Sequence, residues 1–167
     1  MRINPLEGRD VRPTSDRVKE AIFSIIQFDI EGRSILDLFA GSGQMGIETL
    51  SRGAEKAVFV DNGASSVKLI RENLEHTKLG GRASVVQTDC MSYLKMSGEK
   101  FDIAFLDPPY GKNILPAVLE LLAPLMNSGG IMICECGHTE DLPEKAGNFS
   151  VQREYRYGKT KITTYRI

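Results

Sequence analysis

No stretch of the chain approaches the roughly 18 consecutive apolar residues that a membrane span requires, and the first residues lack the apolar core of a secretory signal. Cysteine is scarce. Cys90, Cys134 and Cys136 form an odd set without framework spacing, which argues against a disulfide scaffold and for a reducing, cytoplasmic setting. A dominant charge is missing too: the formal net charge is −1, so bulk electrostatics does not mark a nucleic-acid binder. Internal repeats, low-complexity tracts and linkers are also absent, which leaves one domain over residues 1–167. Residues 1–30 read as an N-terminal segment and helix, and 31–167 as the core. A chain of 167 residues buries roughly two-thirds of its unfolded surface, and its 41% apolar and 26% charged residues suit an ordinary soluble globule.

What is present is alternation. Strand-like runs lie near 34–39, 56–61, 83–88, 101–107 and 130–136, with helical patterns between them. Val18, Ala21, Ile22, Ile25 and Ile26 recur at helical spacing behind Thr14 and Ser15, two candidate caps. Val67, Ile70 and Leu74 mark a second helix, and Ile114, Val118, Leu121, Leu122 and Leu125 a third. Strands and helices in this order predict an α/β fold, a mostly parallel sheet with helices on both faces. The C-terminus departs from the pattern: 149–157 and 160–167 read as an antiparallel hairpin around Gly158-Lys159. Asn127 to Gly130 reads as a turn, and Gly137 to Asn148 as a loop.

Two motifs carry chemistry. The apolar run Phe101–Leu106 ends at Asp107-Pro108-Pro109-Tyr110. Each proline fixes φ and removes an N–H, so this turn presents carbonyl acceptors with few competing donors, flanked by an acid and a phenol. Such a group suits a flat base carrying an amine. Upstream, Ile35 to Phe39 runs into Ala40-Gly41-Ser42-Gly43-Gln44-Met45-Gly46. Gly41, Gly43 and Gly46 satisfy a dinucleotide fingerprint, with Asp61 lying 18 residues past Gly43. Asp37 tilts that reading, because an acid beside the turn repels a pyrophosphate and welcomes a cationic amino-acid group. S-adenosylmethionine carries an ammonium and a sulfonium and has no phosphate, so it is favoured over a nicotinamide cofactor. Asp37, Asp61, Asp89 and Asp107 all fall at or just after strand ends, where open α/β sheets bind ligands.

Other features read more plainly. Cys134, Cys136 and His138 alternate like metal ligands, but the cysteines belong to an apolar strand and a fourth ligand is not evident, so no metal is assigned. Both ends of the chain are basic. Residues 1–19 hold Arg2, Arg9, Arg12, Arg17 and Lys19 against three acids, and 150–167 hold Arg153, Arg156, Lys159, Lys161 and Arg166 against Glu154 alone. Basic ends of this kind suit phosphate contacts on a nearly neutral protein.

The segments Arg12-Pro13-Thr14-Ser15-Asp16-Arg17-Val18-Lys19-Glu20-Ala21-Ile22-Phe23, Asp37–Gly43 and Ser51-Arg52-Gly53-Ala54, followed by the Asp-Pro-Pro-Tyr turn, resemble the bacterial family that methylates the N2 amine of a guanine in 16S ribosomal RNA. The likeness runs from about Arg9 to Ile167. It implies a class I methyltransferase, Rossmann-like fold with a seven-stranded sheet and an antiparallel C-terminal hairpin. It further implies S-adenosylmethionine held by Asp37, Phe39, Ala40, Gly41, Ser42, Gly43, Asp61, Asn62, Asp89, Cys90 and Asp107. Asp107, Pro108, Pro109 and Tyr110 would be catalytic, and Arg9, Arg12, Arg17 and Arg156 would hold RNA. That family usually begins with a longer basic hairpin, whereas about ten residues precede Arg12 here. Weak binding of naked RNA by a monomer, with an assembled small-subunit particle adding contacts, is the resulting expectation. Competing readings are a DNA adenine-N6 methyltransferase, a nicotinamide-dependent oxidoreductase and a non-catalytic RNA-binding protein.

Overall fold

Ser15 opens the first helix, α1 (Asp16–Ile26): its side chain accepts a hydrogen bond from the Val18 N–H at 3.2 Å. Of the expected apolar stripe, Val18, Ile22 and Ile26 are buried and Ala21 and Ile25 half-buried, while Phe23, outside that stripe, is buried as well. This computed structural model describes Ile3 and residues 15–167, so Arg2, Arg9, Arg12 and Thr14 lie outside the described residues.

Among the described residues eight strands follow in chain order: β1 (Ser34–Leu38), β2 (Lys56–Asp61), β3 (Ala83–Gln87), β4 (Phe101–Leu106), β5 (Met126–Gly137), β6 (Lys145–Ala146), β7 (Phe149–Tyr157) and β8 (Thr160–Arg166). Between them lie helices α2 (Gln44–Ser51), α3 (Ala64–Thr77), α4 (Cys90–Met96) and α5 (Leu115–Leu122). The strands form one sheet in the order β3-β2-β1-β4-β5-β8-β7-β6. The first five pair in parallel, and β5–β8, β7–β8 and β6–β7 are antiparallel. Tyr157 pairs with Thr160, so Gly158 and Lys159 form the expected two-residue turn, with Gly158 at φ +61°.

Two local expectations are corrected. The sheet has an eighth strand, because Lys145–Ala146 within the expected loop pairs with Phe149 and Ser150. A two-residue strand is too short to show a period. Asn127 to Gly130 is an irregular part of β5 and not a turn: Phe101 pairs with Met126 and Ile103 with Ile131, so β5 spends five residues where β4 spends two. Gly130 is required there, since an added Cβ would lie 2.6 Å from the Asp102 carbonyl oxygen.

The sheet separates two apolar clusters. Helices α1, α2 and α3 cover one face through residues such as Phe23, Ile47 and Ile70, packed on Ile35, Phe59 and Ile103. Helices α4 and α5 cover the other through Leu94, Val118 and Leu119, packed on Leu36, Val58 and Leu106. Strands covered on both sides read as continuous apolar runs, and all five residues of β1 are buried.

Where α2 crosses β2 the packing leaves no room for a side chain. A Cβ on Gly46 would lie 2.4 Å from one ring carbon of Phe59, a residue with no exposed surface that has nowhere to retreat. Glycine to alanine inside an exposed helix gains about 1 kcal/mol of stability. Gly46→Ala is expected to do the reverse, lowering the urea-unfolding free energy by about 1–3 kcal/mol through overpacking. A gain in stability would show that the Phe59 ring yields.

Candidate functional site

The chain runs outward from β1 through β2 to β3, then returns to place β4 on the other side of β1. Doubly wound sheets bind ligands at such a switch point, in the crevice outside the carboxyl ends of the strands. The residues singled out from the sequence converge there from separate connections.

β1 leaves the sheet at Phe39, whose φ of +66° is a left-handed conformation that costs a bulky side chain about 1–2 kcal/mol. The turn that follows is satisfied from within. The Gly41 N–H donates to Asp61 Oδ2 at 2.9 Å, the Gly43 N–H to the Ala40 carbonyl at 2.7 Å, and the Gly46 N–H to Asp37 Oδ2 at 3.0 Å. Asp61 also accepts the Gly63 N–H on Oδ1 at 2.9 Å, so one carboxylate ties the loop after β1 to the loop after β2. Asn73 of α3, fully buried, donates its amide to the Ser42 carbonyl at 3.0 Å. All three fingerprint glycines thus spend their amides inside the protein, two of them on carboxylates. A pyrophosphate would meet negative charge where a dinucleotide fold offers N–H groups. A ligand with hydroxyl donors and a cationic group fits these acids.

Asp89 is the N-cap of α4, accepting the Ser92 N–H at 2.9 Å and the Ser92 hydroxyl at 2.7 Å. Those bonds, the hydroxyl's first, hold its carboxyl below the usual range. The exposed Asn62 lies beside Asp61, and the half-buried Cys90 follows Asp89, its thiol pushed up by burial and by the Asp89 charge.

β4 ends next to β1, so Asp107 emerges beside the glycine turn. Asp107 is half-buried, Pro108 buried and Pro109 exposed. The Tyr110 phenol lies 2.7 Å from the Thr160 hydroxyl at the start of β8. At this mouth Arg17 meets the C-terminal hairpin. The Arg17 guanidinium sits 5.3 Å from the centre of the Tyr157 ring in β7, while Arg153, Arg156 and Lys159 are exposed on the hairpin. The C-terminal basic set is smaller than its sequence implies. Lys161 is buried and committed to the Glu140 carbonyl and to Glu154 at 3.6 Å, and Arg166 pairs with Asp29 at 3.0 Å at the far end of β8.

Cys134 and Cys136 lie in the second apolar cluster, where burial pushes the Cys136 thiol up to about 11 and the Cys134 thiol well above its usual value. His138 donates its backbone N–H to the Lys159 carbonyl at 2.9 Å. Sequence reasoning missed three contributors: Thr160, Asn73 and the Gly46 amide. The Thr160 and Asn73 contacts join residues 50 and 31 positions apart, which no local pattern signals. Gly46 was visible only as a fingerprint glycine.

The family model described as "Conserved hypothetical protein 95" matches residues 1–166. The "Ribosomal RNA small subunit methyltransferase D" of Escherichia coli K12 is 32% identical over 157 residues, covering 93% of this chain and 79% of that protein. Two solved structures are similar throughout. A conserved hypothetical protein of Streptococcus pyogenes superposes with TM-score 0.83 at 35% identity, covering 89% of this chain and 94% of its own. A hypothetical protein of Thermus thermophilus does so with TM-score 0.84 at 28% identity, covering 100% and 94%.

The acid beneath the glycine turn has a measurable signature. Asp37 is 3% exposed, and burial pushes its carboxyl up to about 7; the Gly46 N–H opposes that shift and the Asp61 charge adds to it. A folded-state value above the ordinary 3.8 means that the native protein holds this proton more tightly than the unfolded chain. The resulting stability is fully present below about pH 4 and is lost as pH rises through about 7. Asp37→Asn keeps an acceptor for the Gly46 N–H without the charge. Between pH 4 and 8, wild type should lose stability relative to this variant by on the order of 4 kcal/mol in urea unfolding. A constant difference across that range would show that Asp37 titrates normally.

Proposed function

Taking as premise that the chain belongs to the conserved hypothetical protein 95 family, we propose that it is a methyltransferase that uses S-adenosylmethionine to methylate the N2 amine of a guanine in 16S ribosomal RNA. The observation that carries the reading is the Asp107-Pro108-Pro109-Tyr110 turn, set at the end of β4 beside a glycine turn lined with carboxylates. The name of the Escherichia coli relative supports ribosomal RNA as the substrate class. The guanine amine follows from the resemblance carried by Arg12–Phe23, Asp37–Gly43 and Ser51–Ala54.

When bound, S-adenosylmethionine supplies a methyl group on a positively charged sulfur. Asp61 and Asn62 would accept from its ribose, Asp89 and Cys90 would border the adenine, and residues 39–43 would wall the methionine part. Asp37, beneath that turn, would supply charge to an ammonium above it, whose presence favours the ionised carboxyl. The Asp107 carboxylate and the Pro108 carbonyl would each accept one N–H of the exocyclic amine. That keeps the nitrogen pyramidal, with its lone pair directed at the reacting carbon and not delocalised into the ring. β4 and two prolines fix these acceptors beforehand, so developing positive charge is met without reorganisation. The surplus proton leaves the nitrogen after transfer, and no dedicated base is needed. Tyr110 would stack on the base, which RNA presents unstacked in loops and bulges. Arg17, Arg153, Arg156 and Lys159 would hold phosphates around the mouth, with Arg9 and Arg12 adding to them. An assembled small-subunit particle, a monomeric enzyme and a cytoplasmic setting complete the proposal; among the described residues no helix is long and apolar enough to cross a membrane.

The direct test is incubation with labelled S-adenosylmethionine and RNA or DNA from cells lacking the protein, followed by nucleoside analysis. N2-methylguanosine is expected; N6-methyladenine would move the chemistry to the other amine, and no transfer would leave a binding protein. Asp107→Ala should lower kcat by about 10²-fold or more, a larger loss than its loss of donor affinity. Equal loss of donor affinity at unchanged kcat would make Asp107 a binding residue.

Phosphate contacts release counterions, so RNA affinity should fall with salt while donor affinity hardly changes. Replacing Arg17 and Arg156 by alanine should flatten the plot of log affinity against log salt by roughly one to two units of slope. Identical slopes would place the RNA surface elsewhere.

A further inference from the structure

We propose that Thr160 is a positioning residue for Tyr110, tying the β7–β8 hairpin to the turn that receives the base. The inference rests on the reading of Tyr110 as the stacking residue of a nucleic-acid methyltransferase. Tyr110 belongs to neither a helix nor a strand. The backbone beyond it is exposed and turns left-handed at Gly111, φ +77°, and again at Asn113, φ +52°. A bond at the far end of a ring on such a turn restrains the ring's orientation. Thr160 supplies that hold: its hydroxyl lies 2.7 Å from the phenol, and one of the two groups donates to the other.

Thr160 is itself well fixed. It is 7% exposed, the first residue of β8, and paired on one side with Gly137 of β5 and on the other with Tyr157 of β7. Gly137 adds a boundary, since a Cβ there would sit 3.8 Å from a carbon of the Tyr110 ring. The third member of this rung, Tyr157, carries the Arg17 guanidinium against its face. One line of residues across three strands therefore links a cation at the mouth to the phenol at the turn. Threonine suits the position because its hydroxyl makes the tether while its branched carbon stays compatible with a buried strand.

The test is a double-mutant cycle on RNA methyl transfer, using Thr160→Val, Thr160→Ser, Tyr110→Phe and the combination of Thr160→Val with Tyr110→Phe. Loss of one hydrogen bond should raise KM for RNA by about three- to tenfold in Thr160→Val. The KM for S-adenosylmethionine should not change, and kcat should change less than KM for RNA. Thr160→Ser should stay within about twofold of wild type, because it keeps the hydroxyl. Tyr110→Phe should match Thr160→Val, and the combination should be no worse than either alone, since both remove the same contact. Additive losses, a Thr160→Ser as impaired as Thr160→Val, or an unchanged Thr160→Val would each overturn the positioning role while wild-type activity stands. If Thr160→Val does not fold, Tyr110→Phe decides: a wild-type KM for RNA in that variant overturns the tether, and a three- to tenfold rise upholds it. Absence of transfer by the wild type would overturn the methyltransferase reading itself, and this role with it.

Discussion

One carboxylate organises the ligand end of the sheet. Asp61 accepts the Gly41 N–H on one oxygen and the Gly63 N–H on the other, each at 2.9 Å, and so locks the connections that leave β1 and β2 into a single rim. The left-handed step at Phe39 is tolerated because the turn beyond it is pinned at Gly41. The same pin sets where the Gly43 amide turns back to Ala40 and where α2 begins. Asp37 lies close enough to feel the charge of Asp61, which adds to the burial that keeps its proton on. An apolar substitute at Asp61 would leave two backbone donors without acceptors as well as removing a charge. Asparagine would not restore the arrangement, because its amide nitrogen would face one of those N–H groups.

The internal satisfaction of the glycine turn also separates two ligand classes that share a sequence signature. Gly41, Gly43 and Gly46 match a dinucleotide fingerprint by spacing alone. In the folded chain their amides are directed to Asp61, Ala40 and Asp37. The Asp61 carboxylate at this turn favours a cation over a phosphate, and Asp89 and Asp107 extend the row of acids along the crevice.

Much of this was legible in the sequence because strand and helix periods are local properties. The apolar runs at 34–39, 56–61 and 101–107 became β1, β2 and β4 nearly residue for residue, and Ser15 capped α1. Asn127 to Gly130 misled because asparagine, serine and glycine mark turns, whereas here they absorb a slip between β4 and β5 that depends on Asp102, a residue of another strand. The Asp89 carboxylate was visible as a strand-end acid, and its cap on Ser92 is equally local. Charge counting overstated the C-terminal basic surface because Lys161 and Arg166 find partners distant in sequence. The bond between Tyr110 and Thr160 was invisible for the same reason.

The order of strands in the sheet has a consequence for how the protein is made. β1 lies between β2 and β4, but Ser34 meets Asp102 across a separation of 68 residues, and all five residues of β1 are buried in the finished fold. A nascent chain that has emerged only through β3 can already close the Asp61 rim, while the other edge of β1 still lacks its neighbour. At about 5–20 residues per second, synthesis of the stretch from β1 to β4 takes several seconds. Throughout that interval an apolar strand edge at the future centre of the sheet is open to foreign strands. Translation speed across α3, β3 and α4 therefore sets how long the half-made protein is vulnerable to aggregation.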